Sequence, residues 1–195
     1  MKIACVLLAA GAGKRFGGGK LLYEVGGEPM IAHALRLYAL FPFRARVCVT
    51  RGEERMLQSL AQESGFNVAI NPEPERGVGT SVSIGTQTAL LLEPELDGIL
   101  YAVSDQPYLE RTSVQRLLDA FGNDSNQIVS LSFQRTRGNP AVFPKSLFGE
   151  LSQLSEDLGG GAVIRKNPQM LRLVEANDAR ELEDLDTLPE HRQSR

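Results

Sequence analysis

Six consecutive apolar residues, Ile3 to Leu8, run without a break into a loop that carries Gly11, Gly13, Gly17, Gly18 and Gly19. A run of this length is too short to span a membrane, and it lacks the alternation of a half-buried strand. It reads as a buried parallel strand. The clustered glycines after it read as backbone that bends sharply or approaches a ligand closely. Further apolar stretches at 46–50, 67–70, 98–103, 128–133 and 170–174 alternate with helix-period segments at 29–40, 53–63, 80–92 and 112–121. Thr80 or Ser81 is expected near one N-cap and Thr112 at another. Ala141 to Phe143 lies between Pro140 and Pro144 and is expected at a sheet edge, with short helices near 146–151 and 162–166.

This alternation predicts an α/β protein: a mostly parallel sheet with helices on both faces, in three α/β/α layers of Rossmann-like type. A chain of 195 residues fits one domain over residues 1–195, with a polar, acid-rich tail from about Glu175. Sheets of this kind bind ligands at the carboxyl ends of their strands. The two richest loops, after Leu8 and after Val103, fall at such ends.

A net charge of −3 speaks against a general binder of nucleic acid or anionic membrane. Cys5 and Cys48 sit in apolar runs without the spacing of a zinc site or redox pair, so they read as buried free thiols in a reducing compartment. The opening MKIACVLLAAG flows into the glycine loop and reads as a strand, not a signal peptide. A cytoplasmic location is expected.

The glycine loop contains Lys14, Arg15 and Lys20. Small residues let successive N–H groups converge on phosphate oxygens, Arg can grip phosphate bidentately, and Lys adds a point charge. Two familiar phosphate loops fail on the residues. A Walker A loop would need glycine where Lys14 stands and Ser or Thr at Leu21, and the dinucleotide pattern meets Phe16 at its third glycine. Asp105, just past the fourth strand, is a hard oxygen donor that can hold Mg²⁺; equally, an acid in a turn can bond its own backbone. Asp184 and Asp186 are either further metal ligands or part of a solvated acidic tail.

The stretch LAAGAGKRFGGGKLL resembles the L-A-[AG]-G-x-x-x-R-[FM]-G-x-x-K-x-L opening of the nucleotidyltransferases that act on molybdopterin, and of related cytidylyltransferases. The resemblance implies a fold of the nucleotide-diphospho-sugar transferase type. It also implies that Leu8, Ala9, Ala10, Gly11, Ala12, Gly13 and Lys14 hold a triphosphate, while Arg15 and Lys20 neutralise charge as pyrophosphate leaves. Asp105-Gln-Pro107 resembles the family's D-x-P segment, which makes Asp105 a Mg²⁺ ligand and, with Arg15 and Lys20, a member of the catalytic set. Asp184-Leu-Asp186-Thr resembles the D-[IV]-D-T-P-E segment of molybdopterin cytidylyltransferases, although Leu188 is inserted before Pro189. That likeness brings Asp184 and Asp186 forward as metal ligands.

Residues 77–85 are similar to a S-V-x-x-G segment, which places Gly79, Thr80 and Ser81 at the nucleotide, with Ser81 at the base. Residues 137–144 resemble a G-[HN]-P-[AV]-x-F stretch and residues 157–162 a G-D-x-G-A loop. Asn139, Pro140, Asp157 and Gly159 are thereby implied at the acceptor. L-A-A-G favours CTP where the guanylyl branch has L-A-G-G, so the first reading is CMP transfer to molybdopterin. Guanylyl transfer, transfer to a sugar or alcohol phosphate, and a non-catalytic nucleotide-binding accessory protein are the alternatives. The cofactor expected is Mg²⁺. A finished molybdenum cofactor would also require transient contact with a molybdoenzyme or its chaperone.

Overall fold

Strand β1 (Ile3–Leu8) sends Ile3, Cys5 and Leu7 to one face of the sheet and Ala4 and Val6 to the other. Both faces are covered, which is why its sequence is continuously apolar. The computed structural model describes residues 1–11 and 19–185. Seven strands form one sheet in the order β5-β4-β1-β6-β8-β7-β9. Here β4 is Ala45–Arg51, β5 Asn67–Asn71, β6 Gly98–Val103, β7 Ile128–Phe133, β8 Thr136–Pro144 and β9 Leu171–Glu175. Strand β1 pairs in parallel with β4 and β6, β4 with β5, and β7 with β9; β8 runs antiparallel between β6 and β7. A two-stranded hairpin, β2 (Glu24–Val25) and β3 (Glu28–Pro29), follows the glycine loop.

Helices α1 (Met30–Ala39), α2 (Arg55–Glu63) and α4 (Arg111–Asn123) cover one face; α3 (Val78–Leu92), α5 (Phe148–Leu151) and α6 (Gly160–Lys166) cover the other. The three-layer, mostly parallel α/β fold is therefore the observed one. Chain order runs outward from β1 to β4 and β5, then returns through α3 to β6 on the other side of β1. The carboxyl ends of β1 and β6 thus form the point where strand order reverses, the position at which open α/β sheets bind ligands. Helix α3 lies close over this seam because Gly85 has no side chain; a Cβ there would overlap Val6 and press on Val49. Burial pushes the Cys5 thiol up and the Cys48 thiol up to about 12, so both stay protonated inside the core.

Four local expectations need correction. Ala141–Phe143 is not an edge: it belongs to the nine-residue β8, which is paired on both sides. Proline is tolerated there because the register with β7 shifts between Ser130 and Ser132, and Pro140 falls in that bulge where a missing N–H breaks no ladder bond. The cap of α3 is Gly77, not Thr80 or Ser81, and that of α4 is Glu110, not Thr112. The segment after Glu175 is polar but docked, with a 3₁₀ turn at Ala179–Leu182, Glu181 buried, and Leu185 in the core. Among the described residues no helix is long and apolar enough to cross a membrane.

Candidate active site

The site forms where the ends of β1 and β6 meet. Leu8 ends β1 and Ala9, Ala10 and Gly11 lead out of it, and polar bonds add to the packing of Leu8 and Ala9 in holding this stretch to its neighbours. The Ala9 N–H donates to Val49 O at 2.8 Å, the Ser104 hydroxyl to Leu8 O at 2.7 Å, and Arg51 Nε to Ala10 O at 2.8 Å. Ala12, Gly13, Lys14 and Arg15 lie outside the described residues, as does Asp186.

Lys20 opens a 3₁₀ turn, Lys20–Leu22, after Gly19 in the left-handed conformation at φ 65°. Its Nζ reaches Asp105 Oδ2 at 2.6 Å across a sequence gap of 85 residues. The two side chains are only 10% and 22% exposed. Two residues argued separately from sequence, one as a phosphate cation and one as a metal acid, are therefore a single contact pair.

The tail supplies the next carboxylate. Gln106 Nε2 donates to Asp184 Oδ1 at 2.9 Å and to Leu182 O at 3.2 Å, while the Leu185 N–H donates to Asp105 O at 3.1 Å. Asp105 and Asp184 thus stand on neighbouring segments, joined through Gln106. Among the described residues no group of three or more His, Cys, Asp or Glu side chains could hold a metal by itself. The donor set still suits Mg²⁺ or Mn²⁺, which take hard oxygens from one or two carboxylates and complete their shell with water and substrate phosphate.

At the start of α3, Asn71 is 1% exposed and donates to Thr80 Oγ1 at 2.8 Å and Ser81 Oγ at 2.9 Å. The Thr80 hydroxyl donates to Gly77 O at 2.8 Å. Ser81 is left with its own hydroxyl proton to donate. Gly79 is packed against the loop before α6: its N–H donates to Glu156 O at 2.8 Å, and a Cβ would lie 2.6 Å from Ser155 O.

A cleft of about 220 Å³ opens beside Leu8. Its walls are largely apolar (Val82, Tyr101, Val103, Phe143), its floor includes Gly159–Gly161, and its polar side chains are Asn139 and Arg137. Of the residues assigned to the acceptor, Asn139 and Gly159 line this cleft. Pro140 is buried in the β8 bulge, and Asp157 is exposed and lies against Gly77, off the cleft lining.

Sequence reasoning gave no site role to Arg51, Asn71, Gln106 or Arg137. Three of them sit at or just beyond the carboxyl ends of β4, β5 and β6, a position that marks candidates in any parallel sheet. Arg51→Ala removes the anchor on Ala10 O, a charge-assisted bond; loss of about 1.4 kcal/mol corresponds to a tenfold weaker dissociation constant for nucleotide. Titration calorimetry with CTP checks this, and an unchanged constant would show that Ala10 needs no such anchor.

The fold is of the Rossmann-like α/β class, and the Lys20–Asp105 pair stands at the strand ends where such sheets bind ligands. Residues 5–173 match the MobA-like NTP transferase domain, and the chain belongs to that family. It is 31% identical over 190 residues to nicotine blue oxidoreductase of Paenarthrobacter nicotinovorans, covering 94% of this chain and 91% of that protein. It is 32% identical over 186 residues to the bifunctional protein GlmU of Janthinobacterium sp. (strain Marseille), covering 91% of this chain and 34% of GlmU. The chain therefore spans about a third of that relative's length. In fold it is similar to Rv0371c of Mycobacterium tuberculosis H37Rv, with TM-score 0.85, 23% identity, and coverage of 99% and 96%. A manganese complex of Rv0371c is also similar, with TM-score 0.78, 20% identity, and coverage of 99% and 97%.

Proposed function

We propose that the chain is a single-domain cytidylyltransferase of the cytoplasm, moving CMP from CTP to the phosphate of molybdopterin and releasing pyrophosphate with Mg²⁺. The observation that carries the transferase reading is the Lys20–Asp105 pair, which joins the residue that follows the glycine loop in sequence to the turn after β6. On this reading Leu8–Lys14 cradle the triphosphate, and Arg15 and Lys20 carry its charge. Thr80 shapes the helix start, and Ser81 donates its hydroxyl proton to the base. The acceptor lies in the cleft between Asn139 and Gly159, with Pro140 fixing the strand that carries Asn139 and Asp157 in the loop that leads to Gly159. Asp105, Asp184 and Asp186 would hold the metal, which supplies charge neutralisation at phosphate oxygens when bound.

The chain's own contribution is positioning and electrostatics. The cleft sets the acceptor oxygen in line with the α-phosphorus, and Lys20, attracted by both Asp105 and phosphate, follows the charge that builds on departing pyrophosphate. The preference for CTP rests on Leu8-Ala9-Ala10-Gly11 and the Asp184-Leu-Asp186 segment.

The name of the P. nicotinovorans relative supports a second reading, an oxidoreductase acting on an organic molecule in the same cleft. The assay separates them: purified protein, Mg²⁺ and molybdopterin are mixed with CTP, GTP, ATP or UTP, and pyrophosphate is measured. Release with CTP alone is the expected result. Release with GTP moves the assignment to guanylyl transfer. Release only with a sugar or alcohol phosphate as acceptor changes the substrate class. Silence in every well with CTP bound leaves a binder; in a parallel well that holds a reduced nicotinamide as hydride donor and an organic dye as acceptor, dye reduction without pyrophosphate release establishes the oxidoreductase.

A further inference from the structure

Glu181 is a carboxylate at 2% exposure, and no cation meets it among its hydrogen-bond partners. Three backbone N–H groups satisfy it instead. Oε1 accepts from Asn177 at 2.7 Å and Asp178 at 3.2 Å, and Oε2 accepts from Glu110 at 3.1 Å. The first two bonds close its own turn in a capping box with Asp178. The third reaches 71 residues back, to the cap of α4. Asn177 reinforces that link through Glu110 Oε2 at 2.9 Å and Thr112 Oγ1 at 3.0 Å.

From this clasp the chain continues directly to the acids. Leu182 packs on Gly138, where a Cβ would lie 2.9 Å from Leu182 Cδ1, and its carbonyl accepts from Gln106. Asp184 accepts from the same amide, and the Leu185 N–H closes on Asp105 O. The segment from Asn177 to Leu185 is thus pinned at one end by Glu181 and at the other by the Asp105–Gln106 turn. Burying a carboxylate is costly unless hydrogen bonds satisfy it. An amide in its place would set its NH₂ against one of the three donors.

We infer that Glu181 is a positioning residue for divalent-metal binding: by clasping the 177–185 segment to α4 it sets Asp184 beside Asp105, without touching metal or substrate. The inference rests on the metal role of those two acids in the transferase reading. Partners that orient ligands in this indirect way typically change metal affinity by about 10- to 100-fold when removed.

The test titrates the full chain with Mn²⁺ alone, counting free ion by electron paramagnetic resonance, in wild type, Glu181→Gln and Glu181→Ala. The expected result is a Mn²⁺ dissociation constant weakened at least tenfold in both variants. Metal-free CTP binding should stay within about twofold, because the Leu8–Gly11 strand end is held by other bonds. A Mn²⁺ constant within twofold of wild type in a folded variant overturns the inference while leaving the transferase reading intact. A wild type that binds no Mn²⁺, either alone or with CTP present, overturns both. Amide exchange in the wild type needs no variant: the Glu110, Asn177, Asp178 and Leu185 amides should slow together on adding Mn²⁺. Slowing of Leu185 alone overturns the coupling.

Discussion

Lys20→Ala should lower turnover by about 10²-fold or more while the protein stays folded, in line with the loss of one charge-stabilising donor from an enclosed site. Lys20 Nζ lies 2.6 Å from Asp105 Oδ2, and both side chains are mostly shielded from water, so water replaces the lost charge poorly. The defect should appear chiefly in kcat and much less in CTP affinity, because the interaction gains strength as charge moves onto the departing pyrophosphate. Lys20→Arg should not restore full activity, since a planar fork cannot occupy the site of a compact ammonium. Asp105→Asn should cost a similar factor. The double variant should lose far less than the product of the two, because the residues act as a unit. Steady-state pyrophosphate release measures all four variants. A kcat within about threefold of wild type in Lys20→Ala would remove this residue from the mechanism.

Gly77→Ala should be the most destabilising single-methyl change near the site. Gly77 has φ 115° and ψ 173°, a backbone conformation that L side chains rarely adopt, and a Cβ would overlap the Glu156 carbonyl group and the Asp157 carboxylate. Forcing the conformation costs about 1–3 kcal/mol and overpacking a similar amount, so about 2–5 kcal/mol in all. That is a large share of the roughly 5–15 kcal/mol that holds a typical domain together. Gly149→Ala is the control: it lies inside α5 with nothing within 4 Å of its Cβ position, so it should be neutral or stabilise by up to about 1 kcal/mol. Urea unfolding midpoints compare the two. Equal midpoints would mean that the loop before α6 moves aside freely, and that the wall between base and acceptor regions is soft.

Much of the architecture was legible because local rules act over short distances. A strand buried on both faces must be continuously apolar, and Ile3–Leu8 and Gly98–Val103 are. Strand ends in parallel sheets collect ligands, so the glycine loop and Asp105 stood out. The misplacement of β8 has an equally physical cause. Proline excludes a central strand only where the ladder needs its N–H, and a bulge removes that need at Pro140. Whether a bulge is present depends on the partner strand, which lies elsewhere in the chain.

The tail after Glu175 misled for a related reason. Acidic residues in sequence look solvated, yet Glu175 accepts N–H bonds from the turn after β7 and Glu181 one from the cap of α4, partners that exist only once β7 and α4 are in place. No periodicity or spacing announces such a partner.

The sequence by itself determined the layered fold, the glycine loop after β1, the acid just past β6 and, through its motifs, the family. Each is written in residues close together in the chain. Tertiary structure alone decided that Lys20 meets Asp105, that Arg51 anchors Ala10, that Arg137 faces an apolar cleft, and that Asp184 is brought to the site by a clasp on α4. Those contacts join segments tens of residues apart, and their geometry follows from strand order and helix packing, which no local pattern encodes.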